Sequence, residues 1–342
     1  MPDVFLSRHP LFLEHDTGPG HPECADRLRA IDAGLRERGL LDELEDRRPP
    51  QAMKADLLRV HDADYIDSVL AWRNRSGALD ADTVVSPASV EASLHAAGAL
   101  IDGIDAVLDN PRRTGFCLVR PPGHHAERDR AMGFCLFNNV AVGAAHAVAK
   151  HGLRRVLIFD PDVHHGNGTQ NAFYRRGDVF YVSIHQSPLF PGTGRLDETG
   201  AGEGAGRNAN VPLPAGLGDP EYLHITENLL LPLIAEYRPE LVLFSAGFDA
   251  HLRDPLAQME VTDDGFLRMY GMIVSTLSAR GIPFLCTLEG GYSLDVIRET
   301  VPALIESVFR ERFPEPGRLE PAHESARAAV TFLSGRTGNR ER

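Results

Sequence analysis

Short unbroken apolar runs recur along the chain, each closed by Pro, Gly or a charged residue. They lie at 4–6, 114–119, 156–159, 179–184, 210–213, 241–245 and 283–288. Runs this short and without alternation read as strands buried on both faces. Between them the apolar positions change to a spacing of three and four. Leu28, Ile31 and Leu35 share one face of a helix predicted over 25–38. Residues 55–72 read as two short helices, with Tyr65, Ile66 and Val69 inward. Further helices are predicted over 87–108, 138–150, near 170–174, and over 220–237, 262–279 and 294–309. Pro87 sits near the first turn of its helix, and Thr262 before Asp263 is a cap. The segments 9–22, 73–86 and 120–133 read as loops. So does 185–207, which is rich in Gly and Pro and of the length usually kept for a site. The tail beyond Arg312 is rich in Pro, Glu and Arg and only loosely patterned.

Strand and helix alternate with no break in composition and no repeat. The 342 residues therefore read as a single α/β domain, with a core over about 4–310 and a C-terminal extension over 311–342. A largely parallel sheet with helices on both faces is expected.

Composition narrows the function. No apolar run reaches the ~18 residues of a membrane span, and the first residues lack the basic and apolar pattern of a signal peptide. The four cysteines, Cys24, Cys117, Cys135 and Cys286, have no CxxC or ladder spacing. Reduced thiols in a cytoplasmic protein are expected. The net charge of −13 and the absence of a basic block argue against nucleic acid as a partner. Lys54 and Lys150 are the only lysines among 35 basic residues, which reads as codon bias.

The candidate chemistry begins at 156–168, VLIFDPDVHHGNG. After four apolar residues come Asp160, Asp162, His164 and His165. In open parallel sheets ligands gather at the carboxyl ends of strands. Asp162 and His164 are two apart, so an extended segment points both side chains the same way, as one divalent metal requires. Gly166 and Gly168 then imply a tight backbone. Other predicted strands end in the same manner. Residues 121–125 (PPGHH) follow one, His185 and then Phe190 another, Gly247, Phe248 and Asp249 a third, and 289–292 (EGGY) a fourth. A lone His pair or a lone Gly-Gly-Tyr is an ordinary turn. Five chemical groups at equivalent strand ends are a site.

Six segments together resemble the zinc-dependent histone deacetylase family, closest to its class II-like members and bacterial amidohydrolases. They are RPPGHHA (120–126), GFCLFNN (133–139), DPDVHHGNGTQ (160–170), FPGTG (190–194), SAGFDAH (245–251) and LEGGY (288–292), with GPGHPE (18–23) ahead of them. The resemblance implies the arginase-deacetylase fold, with a mostly parallel eight-stranded sheet. It implies an amidohydrolase that removes acyl groups from lysine side chains of proteins or peptides. An acetylpolyamine amidohydrolase acting on a small acylated amine is the alternative, and an acyl-lysine reader without turnover a third reading. The remaining branch of the fold, the binuclear manganese ureohydrolases, carries acids where this chain has Gly166 and Gly247. The resemblance leaves protein, peptide and small-amine substrates open, and with them a homo-oligomer.

By resemblance, Asp162, His164 and Asp249 would hold one zinc ion, with iron(II) as the alternative metal. His124 and His125 would flank the attacking water, with Asp160 behind His124 and Asn167 behind His125. Tyr292 would donate to the developing oxyanion. Gly133, Phe134, Phe190, Leu256 and Gly290 would line the substrate tunnel, with Leu256 at its gate. Main-chain carbonyls of Asp160, Asp162, His164, Ser183 and Ile184, with the Asp160 carboxylate, match the family's inner potassium site. Phe173, Arg176 and Val179 match its outer one. Cys135 is not expected to bind metal, and His185 is expected to be structural.

Overall fold

The computed structural model describes residues 3–315, 317 and 322–336. The chain opens with β1 (Asp3–Ser7), a one-turn helix α1 (Leu11–Glu14) and α2 (Asp26–Glu37). Then come β2 (Glu45–Arg47), α3 (Lys54–Leu57), α4 (Ala63–Leu70), a small hairpin of β3 (Gly77–Ala78) and β4 (Val84–Val85), and the long helix α5 (Ser89–Asp109). The central segment runs β5 (Arg113–Cys117), α6 (Asn139–His151), β6 (Val156–Asp160), α7 (Asn167–Phe173), β7 (Val179–Gln186) and β8 (Asn208–Leu213). Next are α8 (Asp219–Ile225) and α9 (Leu231–Tyr237), β9 (Leu241–Ala246), α10 (Asp263–Arg280), β10 (Phe284–Leu288), α11 (Leu294–Arg310) and α12 (Glu324–Ser334).

Eight strands form one sheet in the order β2-β1-β5-β10-β9-β6-β7-β8, and every pairing in it is parallel. Helices cover both faces, as the register demonstrates. Leu285 of β10 points at Gly103 of α5, where an added Cβ would meet its side chain at 2.8 Å. The next residue, Cys286, is paired with Phe244, whose ring lies 5.3 Å from Tyr270 of α10. Successive residues of a strand face opposite ways, so α5 and α10 lie on opposite sides. This is why β6, β7, β9 and β10 are buried along their whole length and read as continuous apolar runs.

Several elements differ from the sequence pattern, each for a local reason. The helix expected over 220–237 is interrupted by a π-helical turn, Thr226–Leu230. Pro232, just after it, has no N–H to give the carbonyl four residues back. Strand β2 (Glu-Asp-Arg) carries no apolar residue; it is an edge strand, and such edges are commonly charged. The tail carries a helix, α12, that its composition does not suggest. Ala326, Ala329, Val330 and Leu333 form a buried stripe on α12, which packs against β8 and α8. Asp160 and His185, expected just past strand ends, lie within β6 and β7.

Candidate active site

The strands β5, β10, β9 and β6 are neighbours in the sheet and all run the same way. Their carboxyl ends therefore deliver four loops side by side: 121–125, 289–292, 247–249 and 161–164. Residues from the 121–125 loop to the 289–292 loop, far apart in sequence, meet there because of strand order alone.

Asp162, His164 and Asp249 converge at the centre. His164 Nδ1 lies 3.2 Å from Asp162 Oδ1 and 3.1 Å from Asp249 Oδ2. Backbone N–H groups also donate to both carboxylates. Gly290 N donates to Asp162 Oδ2 (2.8 Å), His164 N to Asp162 Oδ1 (2.9 Å) and Val163 N to Asp249 Oδ1 (2.8 Å). Two glycines make the crowding possible. A Cβ at Gly247 would sit 2.0 Å from Asp162 Oδ2, and one at Gly290 1.9 Å from Asp249 Oδ2. Gly166 is needed for the same reason and not for a left-handed turn, since its Cβ would meet Asp160 Oδ2 at 2.4 Å. Gly168 likewise leaves room for the backbone carbonyl of Ala126.

Electrostatics argues that this cluster is built for a cation. Burial opposes charge on His164, yet Asp162 and Asp249 outweigh it and hold its pKa up at about 10. Burial and the adjacent Asp162 carboxylate push Asp249 up to about 7. Two carboxylate oxygens and one imidazole nitrogen, all buried and within ion-binding reach, are the donor set of a three-ligand divalent site. Cys135 is not among them; its thiol donates to the Gly133 carbonyl.

The two adjacent histidines are pushed apart in pKa. His124 Nδ1 lies 3.1 Å from Asp160 Oδ2, which also accepts from Tyr181. Burial disfavours charge on His124, but Asp162 and Asp160 prevail and raise its pKa well above the ordinary value. Burial and the neighbouring His124 and His164 depress His125 well below it. His125 Nδ1 instead meets a neutral acceptor, Asn167 Oδ1, at 2.8 Å. One imidazole favoured in its charged form and one in its neutral form, side by side, are what an acid-base pair requires.

Aromatic residues surround the outer side. The Phe190 ring lies 5.0 Å from that of His125, edge to face, and Phe134 lies 5.9 Å from Tyr292. Gly133 and Phe134 both have positive φ (55° and 69°), and a Cβ at Gly133 would clash with His125 and press on Phe190. Leu256 is half-buried on the loop after Asp249, its N–H held by Asp254. His185 bonds Ser183 Oγ and the Gly194 carbonyl, away from the cluster. Asp160, at the end of β6, is the register partner of Ser183 within β7, with Ile184 next in line, while Phe173, Arg176 and Val179 border the turn from α7 to β7.

Sequence reading missed the residues that hold this site in shape. Glu289 accepts from the backbone N–H of Gly123 and His124 and from Ser245 Oγ, which fixes the histidine loop to β9 and β10. Arg27 donates to the Gly291 carbonyl and lies over the Tyr292 ring; Glu23 links it to Arg120. Glu289 and Glu23 do fall inside quoted motifs, LEGGY and GPGHPE, which was the available signal. A second Asp-His group, Asp105 with His146 and His151, lies near the C-terminal ends of α5 and α6, which pack on each other. Asp105 there takes bonds from both imidazoles and from Lys150, and so clamps the two helices.

Comparison with known proteins gives the family. The profile of the histone deacetylase domain matches residues 21–308. The histone deacetylase-like amidohydrolase of Pseudomonas aeruginosa is 40% identical over 285 residues, 82% of this chain and 75% of that protein. A probable deacetylase of Methanothermobacter thermautotrophicus is 42% identical over 306 residues, 88% of this chain and 89% of that one. The crystal structure of the HDA15 HD domain superposes with a TM-score of 0.90 at 34% identity, covering 98% of this chain and 94% of the other. The sheet, the site and the relatives lead to one conclusion: this chain belongs to the histone deacetylase family and is a hydrolase of the deacetylase type.

Proposed function

We propose that this protein is a zinc-dependent deacetylase that cleaves the acyl amide on lysine side chains of proteins or peptides. The observation that carries the reading is the buried convergence of Asp162, His164 and Asp249 beside a neutral His125. Those three residues would hold the ion, which when bound supplies a Lewis acid for the amide carbonyl and acidifies adjacent water. His125, protonated on Nδ1 by its bond to Asn167, keeps the Nε2 lone pair free to take a proton from water. His124, kept charged by Asp162 and Asp160, is the donor to the leaving amine. The Tyr292 hydroxyl donates to the carbonyl oxygen as charge builds there. Phe134 and Phe190 hold the aliphatic stem of an acyl-lysine between apolar faces, which excludes water from the reacting amide.

The same reading assigns potassium ions a structural role. The inner one would be held by carbonyls of Asp160, Asp162, His164, Ser183 and Ile184 with the Asp160 carboxylate, and the outer one near Phe173, Arg176 and Val179. Supporting this, Asp160, the last residue of β6, pairs in register with Ser183 inside β7, with Ile184 next in line.

The test is purified protein with its metal content measured, assayed against acyl-lysine peptides of graded acyl length and against acetylated polyamines. Turnover of acetyl-lysine peptides that vanishes in His125→Ala, with the ion retained, is expected. Activity confined to polyamines would overturn the substrate, and activity surviving in His125→Ala would overturn the base.

A further inference from the structure

The base-side histidine is not backed by a carboxylate directly, yet a carboxylate stands one residue further back. Asn167 Oδ1 faces His125 Nδ1 at 2.8 Å, and Asn167 Nδ2 donates to Glu127 Oε1 at 2.6 Å. Asn171, one turn further along α7, donates to both Glu127 oxygens at 2.9 and 3.0 Å. His125, Asn167 and Glu127 are all buried. Glu127 is two residues beyond His125 on the same loop, so base and acid grip one side chain of α7 from the same strand end.

An amide side chain can present either end to a neighbour, since its oxygen and nitrogen have nearly the same shape. Its orientation must come from what surrounds it. Glu127 takes amide N–H groups on both of its oxygens. Asn167 must therefore turn its NH₂ toward Glu127, where it also reaches the His125 carbonyl at 3.2 Å. That leaves its oxygen for His125 Nδ1. An oxygen there accepts only, so the ring proton must sit on Nδ1, and the Nε2 lone pair is left for the reaction. Reversed, the amide would offer N–H to Nδ1, the proton would move to Nε2, and the ring could no longer act as a base.

We propose that Glu127 is a positioning residue: through Asn167 it selects the tautomer of His125. This rests on the reading of His125 as the base. The arrangement orients the base through a neutral acceptor, whereas His124 is backed directly by the Asp160 carboxylate.

The test exchanges the acid and the amide. Glu127→Gln is expected to lower kcat by about 10–100-fold, as loss of an outer hydrogen-bond partner commonly does, with KM little changed. Asn167→Asp is expected to lose activity as well, because it sets a second carboxylate against Glu127. The double variant Asn167→Asp/Glu127→Gln restores one acceptor for His125 and one donor behind it, and should recover most of the lost kcat. Simple support of the loop predicts no such recovery. A double variant no better than its worse single parent, or a Glu127→Gln enzyme with unchanged kcat, overturns the proposal. Nitrogen-15 spectra of the histidine rings, with the His125 signals identified by their loss in His125→Ala, test it independently of turnover. The Nδ1–H form is expected in the wild type and a mixture in Glu127→Gln. A wild type in the Nε2–H form overturns the tautomer assignment even if the enzyme is active. A wild type in the Nδ1–H form, lost in Glu127→Gln, supports it even if none of the tested amides is cleaved.

Discussion

The backbone N–H of Tyr292 donates to Asp254 Oδ2 at 2.7 Å. Asp254 also takes the N–H of Leu256 on its other oxygen, at 2.9 Å. One buried carboxylate thus ties the loop that follows Asp249 to the loop that carries Tyr292. Tyr292→Phe should lower kcat by ~10²–10³, the usual cost of a lost oxyanion donor, and leave KM nearly unchanged. Asp254→Asn can accept only one of the two N–H groups and should lower kcat less, again with KM kept. Steady-state kinetics decide it. A change confined to KM in Tyr292→Phe would exclude the oxyanion role.

The second prediction concerns the metal. Asp162, His164 and Asp249 should bind one divalent ion per chain, and chelation should abolish turnover until a single equivalent is restored. Ion binding to the folded state alone also stabilises it, by about 2.7 kcal/mol at one hundred times Kd. Melting temperature should therefore rise on metal addition, and Asp249→Asn should lose that rise. Two tightly bound manganese ions per chain, counted by elemental analysis, would contradict the assignment.

The third concerns acid stability. His61 is buried, with Nδ1 donating to the Glu127 carbonyl and Nε2 accepting from Asn138 N, so both nitrogens are committed in the neutral form. Burial outweighs the backbone hydrogen bonds and lowers its pKa to about 4. The unfolded chain, with a histidine near 6.5, binds the proton first as pH falls. Stability is therefore unaffected by this group above about pH 6.5 and is lost as pH falls from there toward about 4, by about 3 kcal/mol in all. His61→Gln should be less stable at pH 7.5 and should show a flatter decline toward pH 4.5. Denaturant midpoints across that range, parallel in the two proteins, would refute the attribution.

The fourth separates substrate classes. Leu256 puts an uncharged side chain on the loop after Asp249. A polyamine brings a second cation that would lose water there without gaining a partner. The wild type should prefer acyl-lysine peptides over acetylspermidine or acetylputrescine in kcat/KM, and Leu256→Glu should move the ratio toward the polyamines. A wild type that already favours polyamines, or a variant with no shift, would place selectivity on another loop.

Much of this protein can be read in one dimension. The alternation of apolar runs and helical stripes depends on contacts between residues near in sequence and on burial, so strands and helices were visible as patterns. Asp162 and His164 sit two apart after a strand, and that spacing alone puts both side chains on one side of an extended chain. The long helix over 220–237 was visible too, although Pro232 reshaped it in a way its apolar spacing does not announce. Strand β2 and helix α12 were missed because their placement depends on partners. An edge strand with no apolar residue is defined only by β1 beside it, and the stripe on α12 has meaning only against β8.

What the tertiary structure alone decided is which polar groups answer one another. Strand order brings 121–125, 289–292, 247–249 and 161–164 together, and no local pattern encodes that order. Nothing in the sequence assigns a partner to Glu289 behind the histidine loop, Arg27 over Tyr292 or Glu127 behind Asn167. Each is buried and bonded. A charge leaves water only where partners converge on it, and these partners come from segments that only the folded sheet makes neighbours.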